Sequence, residues 1–89
     1  MKAEEKTMRV ENFKKGVVTL IDSGKRLAQR DHDNGEDWMK HWSLTKGYLT
    51  GLEITLSFAG ENELLDWVEG LDKEHDGWIP KDNNTTKRE

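Results

Sequence analysis

Apolar residues recur at helical spacing along three stretches of this chain, with polar turn residues between them. The middle stretch, residues 36–58, carries the clearest pattern. Trp38, Trp42, Thr45, Leu49, Leu52 and Leu56 follow one another at intervals of 4, 3, 4, 3 and 4, with Met39, Leu44 and Tyr48 alongside. Such a run keeps one face of an α-helix apolar along its whole length. Its C-terminal part also alternates like a strand, with Leu52, Ile54, Leu56 and Phe58 set against Glu53, Thr55 and Ser57. Five matched intervals outweigh the shorter alternation, and a helix is expected here.

The first stretch, residues 9–30, places Phe13, Val17, Leu20, Gly24 and Leu27 on one helical stripe, which Val10, Ile21 and Ala28 widen. Local propensity argues the other way. Val17, Val18 and Thr19 are β-branched, and Gly16 and Gly24 each cost about 1 kcal/mol in a helix. A hairpin turning at Ser23-Gly24 therefore stands as the alternative. The third stretch, residues 61–71, buries Leu64, Leu65, Val68 and Leu71, with Trp67 on the flank. Asn62 or Gly60 can cap its start, and Glu61, Glu63 and Asp66 suit the positive end of the helix dipole. Gly70 is either an awkward interior residue or an early helix breaker. Beyond it Asp76-Gly77 turns the chain, and Trp78-Ile79 can fold back as an apolar plug.

These elements predict an all-α three-helix bundle. The alternative is an α+β fold, with a short antiparallel sheet from residues 16–58 and a C-terminal helix. Residues 9–80 form a single small domain in this reading. Residues 1–8 are a flexible, charged lead-in, and residues 81–89 are a disordered polar tail after the only proline, Pro80.

Eighty-nine residues leave room for one core, and 33% hydrophobic against 36% charged residues makes that core small. Trp38, Trp42, Trp67, Trp78, Phe13, Phe58 and Tyr48 supply much of its apolar area. The absence of cysteine excludes disulfide staples and Cys-ligated zinc, and fits a reducing cytoplasm. No run approaches the roughly 20 apolar residues that span a bilayer, so no membrane partner is expected. The charged N-terminus lacks a secretory pattern, and a cytoplasmic location follows as the expectation.

The net −4 conceals two regions of opposite sign. Residues 1–30 hold eight Lys/Arg against four Asp/Glu, whereas residues 31–76 hold twelve Asp/Glu against three Lys, a formal −9. An acidic body that also carries all but one of the tryptophans, with Trp78 just beyond it, repels phosphates and attracts basic partners.

Specific chemistry is sparse. Asp31-His32-Asp33-Asn34-Gly35 has the look of a calcium loop, but counted from Asp31 the fifth position is Gly35 and the twelfth is Trp42, so the ligand register fails. The segment reads as a turn with left-handed geometry at Asn34-Gly35 and acids that cap the next helix. Asp37 and His41, and His32 and Glu36, share a four-residue spacing that suits a metal pair, yet nothing closes a four-ligand set. No phosphate loop, nucleophile elbow or cysteine nucleophile occurs, so no catalytic residue, cofactor or metal is assigned. Lys15, Arg26 and Arg30 fall near one face of a helical first segment and could meet phosphates. The acidic remainder makes nucleic acid an unfavoured partner.

The residues tie the chain to no particular family. Its short, polar, motif-poor character has the style of a small bacterial or bacteriophage accessory protein. The functional expectation is a non-catalytic protein–protein interaction module with an acidic, Trp-edged face formed by Glu63, Asp66, Trp67, Glu69 and Trp78. Its partner would be a protein with a basic surface, one concrete version being inhibition or regulation of a nucleic-acid-binding protein. The alternative is a homo-oligomeric helical structural protein, in which surplus apolar surface of the middle segment pairs with its own copy. Binding of nucleic acid through the basic N-terminal segment comes third.

Overall fold

The computed structural model describes residues 2–82, with side chains from Lys6 onward. Three helices account for most of them: α1 (Lys2–Asp33), α2 (Met39–Ala59) and α3 (Asn62–Asp76). No strand occurs among the described residues. The chain is therefore a three-helix bundle, and the sheet alternative with its turn at Ser23-Gly24 does not form. α1 passes straight through the β-branched run because Val17 and Ile21 are buried there. Burial of that size outweighs propensity differences of a few tenths of a kcal/mol per residue. The helix also continues back to Lys2, through residues that the apolar pattern places outside the domain.

Two glycine turns join the helices. After α1, Gly35 takes a positive φ of 75°, and the Glu36 N–H returns to the Asp31 carbonyl at 2.7 Å. Asp37 then accepts a hydrogen bond from the Met39 N–H at 3.0 Å, satisfying one of the free donors at the start of α2. At the other end of α2, Gly60 has a φ of 72°, and the Glu61 N–H bonds the Leu56 carbonyl at 3.0 Å. That six-to-one closure is the usual left-handed helix stop. Neither Gly60 nor Asn62 supplies a side-chain cap to α3; Glu61 occupies the capping position without a side-chain bond. Gly70 does not break α3, which runs on to Asp76.

The core is built from Val17 and Ile21 of α1, Leu49 and Leu56 of α2, and Val68 of α3. Phe13, Tyr48, Leu52, Leu64, Leu65, Trp67 and Leu71 pack around it. The expected seam of α2 is the buried one. In α1 the stripe lies one position further round: Val17, Ile21 and Ala28 are buried, Leu27 is half-buried, and Leu20 is 45% exposed. The shift follows from how closely α1 approaches α2. Gly24 faces the Thr45 side chain, which leaves no room there for a Cβ atom.

α2 lies between its neighbours, packing along both, while α1 and α3 touch each other sparingly. Long side chains bridge the gap between them, among them Phe13 and Trp67 with ring centres 6.5 Å apart. After α3 the chain turns back: Trp78 is half-buried, Ile79 is exposed and Pro80 is buried. Gln29 ties the end down by donating to the Lys81 carbonyl and accepting from the Lys81 N–H, each at 2.8 Å. The polar tail from residue 83 lies outside the described residues.

Candidate interaction surfaces

Three groups of side chains have chemistry that the packing does not exhaust: a charged cleft between α2 and α3, the outer acids of α3, and the outer face of α2. The cleft encloses about 250 Å³ and is lined by Glu53, Glu69, Asp72, Lys73 and Asp76. Lys46 is its central cation, with Nζ 2.7 Å from Asp72 Oδ1 and 2.9 Å from Asp76 Oδ1. Hydrogen bonds to Asp72 and then Asp76 raise the Lys46 pKa. Burial works against the charge on Asp72, yet hydrogen bonds from Glu53 and Lys46 outweigh it and hold its carboxyl below the ordinary range.

Glu53 shows the opposite behaviour. Its hydrogen bond with Asp72, followed by burial and the Asp72 charge, pushes its pKa up from 4.5 to about 7. Its Oε2 is buried and meets no donor. A proton on Glu53 resolves that conflict, because the carboxylic acid can then donate to Asp72. One cation and one shared proton thus hold Glu53, Asp72 and Asp76 together, while the Glu69 charge in the same cleft adds to the pressure that raises the Glu53 pKa.

Beside it lies the most buried polar residue of the bundle. His75, 2% exposed, stacks on Trp42 with ring centres 4.7 Å apart. Its Nε2 lies 2.9 Å from the Trp42 carbonyl, which can only accept, so Nε2 carries the proton. The Trp42 indole N–H in turn bonds the carbonyls of His75 and Trp78, each at 3.2 Å. This histidine is therefore a structural tie between α2, α3 and the turn after it.

The residues expected to form one acidic face divide among three sides of α3. Glu69 lines the α2 cleft, Glu63 lines a groove of about 530 Å³ with Lys6, Val10 and Lys14, and Asp66 stands outward. All three are exposed, and no hydrogen bond or ion pair engages them among the described residues. Trp67 and Trp78 are half-buried and turn toward α1. Lys14 Nζ lies 5.3 Å from the Trp67 ring centre, and Lys25 Nζ lies 5.8 Å from that of Trp78. The acids and Trp67 thus share α3, Trp78 lies in the turn beyond it, and both rings already have cationic company.

The remaining candidates fall into place as structure. His41 pairs with the buried Asp31 at 3.1 Å rather than with Asp37. His32 belongs to α1 and Glu36 to the following turn, so they do not share a helix face. No group of three or more His, Cys, Asp or Glu among the described residues is placed to hold a metal ion. Lys15, Arg26 and Arg30 are exposed on α1, with Arg26 bonded to Ser23 at 3.3 Å. No described helix is long and apolar enough to cross a membrane.

Sequence reasoning did not bring Lys46, Glu53 and His75 forward. The stripe Leu64, Val68, Leu71, His75 keeps the 4, 3, 4 spacing, which was the available signal for His75. The cleft had none, since it depends on how α3 registers against α2. No protein-family model, curated protein or solved structure matches this chain.

Proposed function

We propose that this protein is a non-catalytic protein–protein interaction module of the cytoplasm, which docks the acidic outer surface of α3 onto a basic surface of another protein. One observation carries this reading. Lys46 neutralises Asp72 and Asp76, whereas the exposed Glu63, Asp66 and Glu69 lack any such partner among the described residues. Unpaired surface charge of one sign raises the rate of encounter with the opposite sign and rejects like-charged ligands such as nucleic acid. Trp67 on the same helix is a half-buried ring able to extend the contact, and Trp78, half-buried in the turn after α3, is the second candidate.

In its most concrete form the module is a small accessory protein, bacterial or bacteriophage in style, that inhibits or regulates a nucleic-acid-binding protein by covering its phosphate groove. The test compares wild type with a Glu63→Lys, Asp66→Lys, Glu69→Lys variant as bait in a native lysate. A partner retained by wild type, lost from the variant and released by salt supports the reading. A partner held equally by both overturns the assignment to α3. Addition of DNA should release the partner if the groove is the shared site. A second reading, a homo-oligomeric helical structural protein, draws on a different surface, the exposed apolar face of α2.

A further inference from the structure

We propose that the outer face of α2 is a self-complementary surface that pairs antiparallel with α2 of a second copy of this chain. From Ser43 to Ala59 this helix carries only two charged residues, Lys46 and Glu53, and both turn toward α3. The opposite side exposes Leu44, Ile54 and Phe58, at 64%, 54% and 89%. Gly47 and Gly51 lie between them, so Leu44, Gly47, Gly51, Ile54 and Phe58 are spaced 3, 4, 3 and 4 residues apart. That is the repeat of a helix–helix seam with knobs-into-holes packing. Exposed apolar residues elsewhere, such as Met8, Leu20 and Ile79, do not form such a stripe.

The order of sizes along the stripe selects the occupant. A two-fold axis at Gly51 sets Leu44 against Phe58 of the second copy and Gly51 against itself, and brings Ile54 to within one residue of the level of Gly47. Each large side chain then meets a complementary apolar end or a gap, and the glycines let the two backbones approach. A parallel pairing would instead oppose Phe58 with Phe58, Ile54 with Ile54 and Leu44 with Leu44, so that large side chains meet large ones at both ends of the stripe. Charge agrees with the antiparallel choice. Lys40, at the N-terminal end of α2, comes to the C-terminal end of the other copy's α2, where Glu61 is exposed.

The glycines support the same conclusion from the energetic side. Interior helical glycine is unfavourable, and a Cβ at Gly47 or Gly51 would meet nothing within 4 Å inside the monomer. Gly16 and Gly70 are equally open, but only Gly47 and Gly51 sit in an apolar seam. A single helix-on-helix contact lies at the low end of specific interfaces, about 1,000 Å² in total, so the dimer should dissociate on dilution.

The absence of native cysteine makes the test clean. Sedimentation should show a concentration-dependent shift from 10.3 kDa toward twice that mass. An Ile54→Lys, Phe58→Lys variant should keep its helical circular dichroism and weaken the dimer by at least about tenfold. Under mild oxidation Gly51→Cys should cross-link across the axis, while Leu44→Cys should not. A strict monomer at high concentration overturns the proposal and leaves the face to a different protein. A dimer that survives the double lysine variant, or that fails to cross-link through Gly51→Cys, places the contact elsewhere. Cross-linking through Leu44→Cys shows a parallel pair and overturns the register.

Discussion

The outer faces of α2 and α3 are adjacent on one small bundle, yet they meet water in opposite ways. α3 exposes Glu63, Asp66 and Glu69, whereas α2 exposes Leu44, Ile54 and Phe58 around a pair of glycines. Both helices bury their other side in the same core, so the difference is not forced by folding. It teaches that the two faces suit different kinds of contact. Charge in solvent favours fast, salt-sensitive encounter, and uncharged surface favours short-range association that salt disturbs little.

Breaking the shared support should disable both faces at once, with the largest effect. His75→Ala removes a buried ring, its stack on Trp42 and its bond to the Trp42 carbonyl. A loss of about 2–4 kcal/mol is expected in denaturant unfolding. Stability within about 0.5 kcal/mol of wild type would show that the tie between α2 and α3 lies elsewhere. Gly24→Ala comes next, at about 1–3 kcal/mol, because the new methyl meets Thr45 at the closest approach of α1 to α2.

The cleft between the two faces offers a pH test. Glu53 titrates at about 7 in the folded protein and near 4.5 without its neighbours. Because its folded pKa is the higher one, its proton contributes stability that is complete below about 4.5 and lost as pH rises through about 7. Thermal melts should therefore fall from about pH 5 to about pH 8, and Glu53→Gln should flatten that slope. An unchanged slope in the variant would remove Glu53 from the account.

Smaller effects separate the faces themselves. Gly47→Ala should raise monomer stability by about 0.5–1 kcal/mol while weakening self-association, a split that calorimetry and sedimentation can read together. Reversing Glu63, Asp66 and Glu69 should move stability by no more than about 0.5 kcal/mol per site, since all three are exposed. A large destabilisation there would mean that these acids serve the fold rather than a partner.

Much of this architecture is legible along the chain, for a physical reason. The seam from Trp42 to Leu56 and the stripe from Leu64 to Leu71 are long repeats, and burial enforces them locally. α1 was harder to read because hydrophobicity alone favours Leu20 and Leu27. Val17 and Gly24 of the expected stripe do face the bundle, but Ile21 and Ala28 from its edge are buried where Leu20 is exposed. The acids of α3 are visible in the sequence, but their division between two grooves and an outward side needs helix register. The same holds for Lys46, Glu53 and Asp72, which are 7 and 19 residues apart in order and meet only when α3 settles on α2. The outer stripe of α2 is in the sequence as well, masked there by the stronger inner seam of the same helix.

If the two faces act independently, amide chemical shifts can follow both in one labelled sample. Concentrating the protein should move amides of residues 44–58 on the outer side of α2. Adding a Lys/Arg-rich peptide at low salt should move those of residues 61–76 on α3, and salt should reverse only the second set. Shifts confined to one helix under both conditions, or basic peptide acting on α2 alone, would show that the faces are not independent.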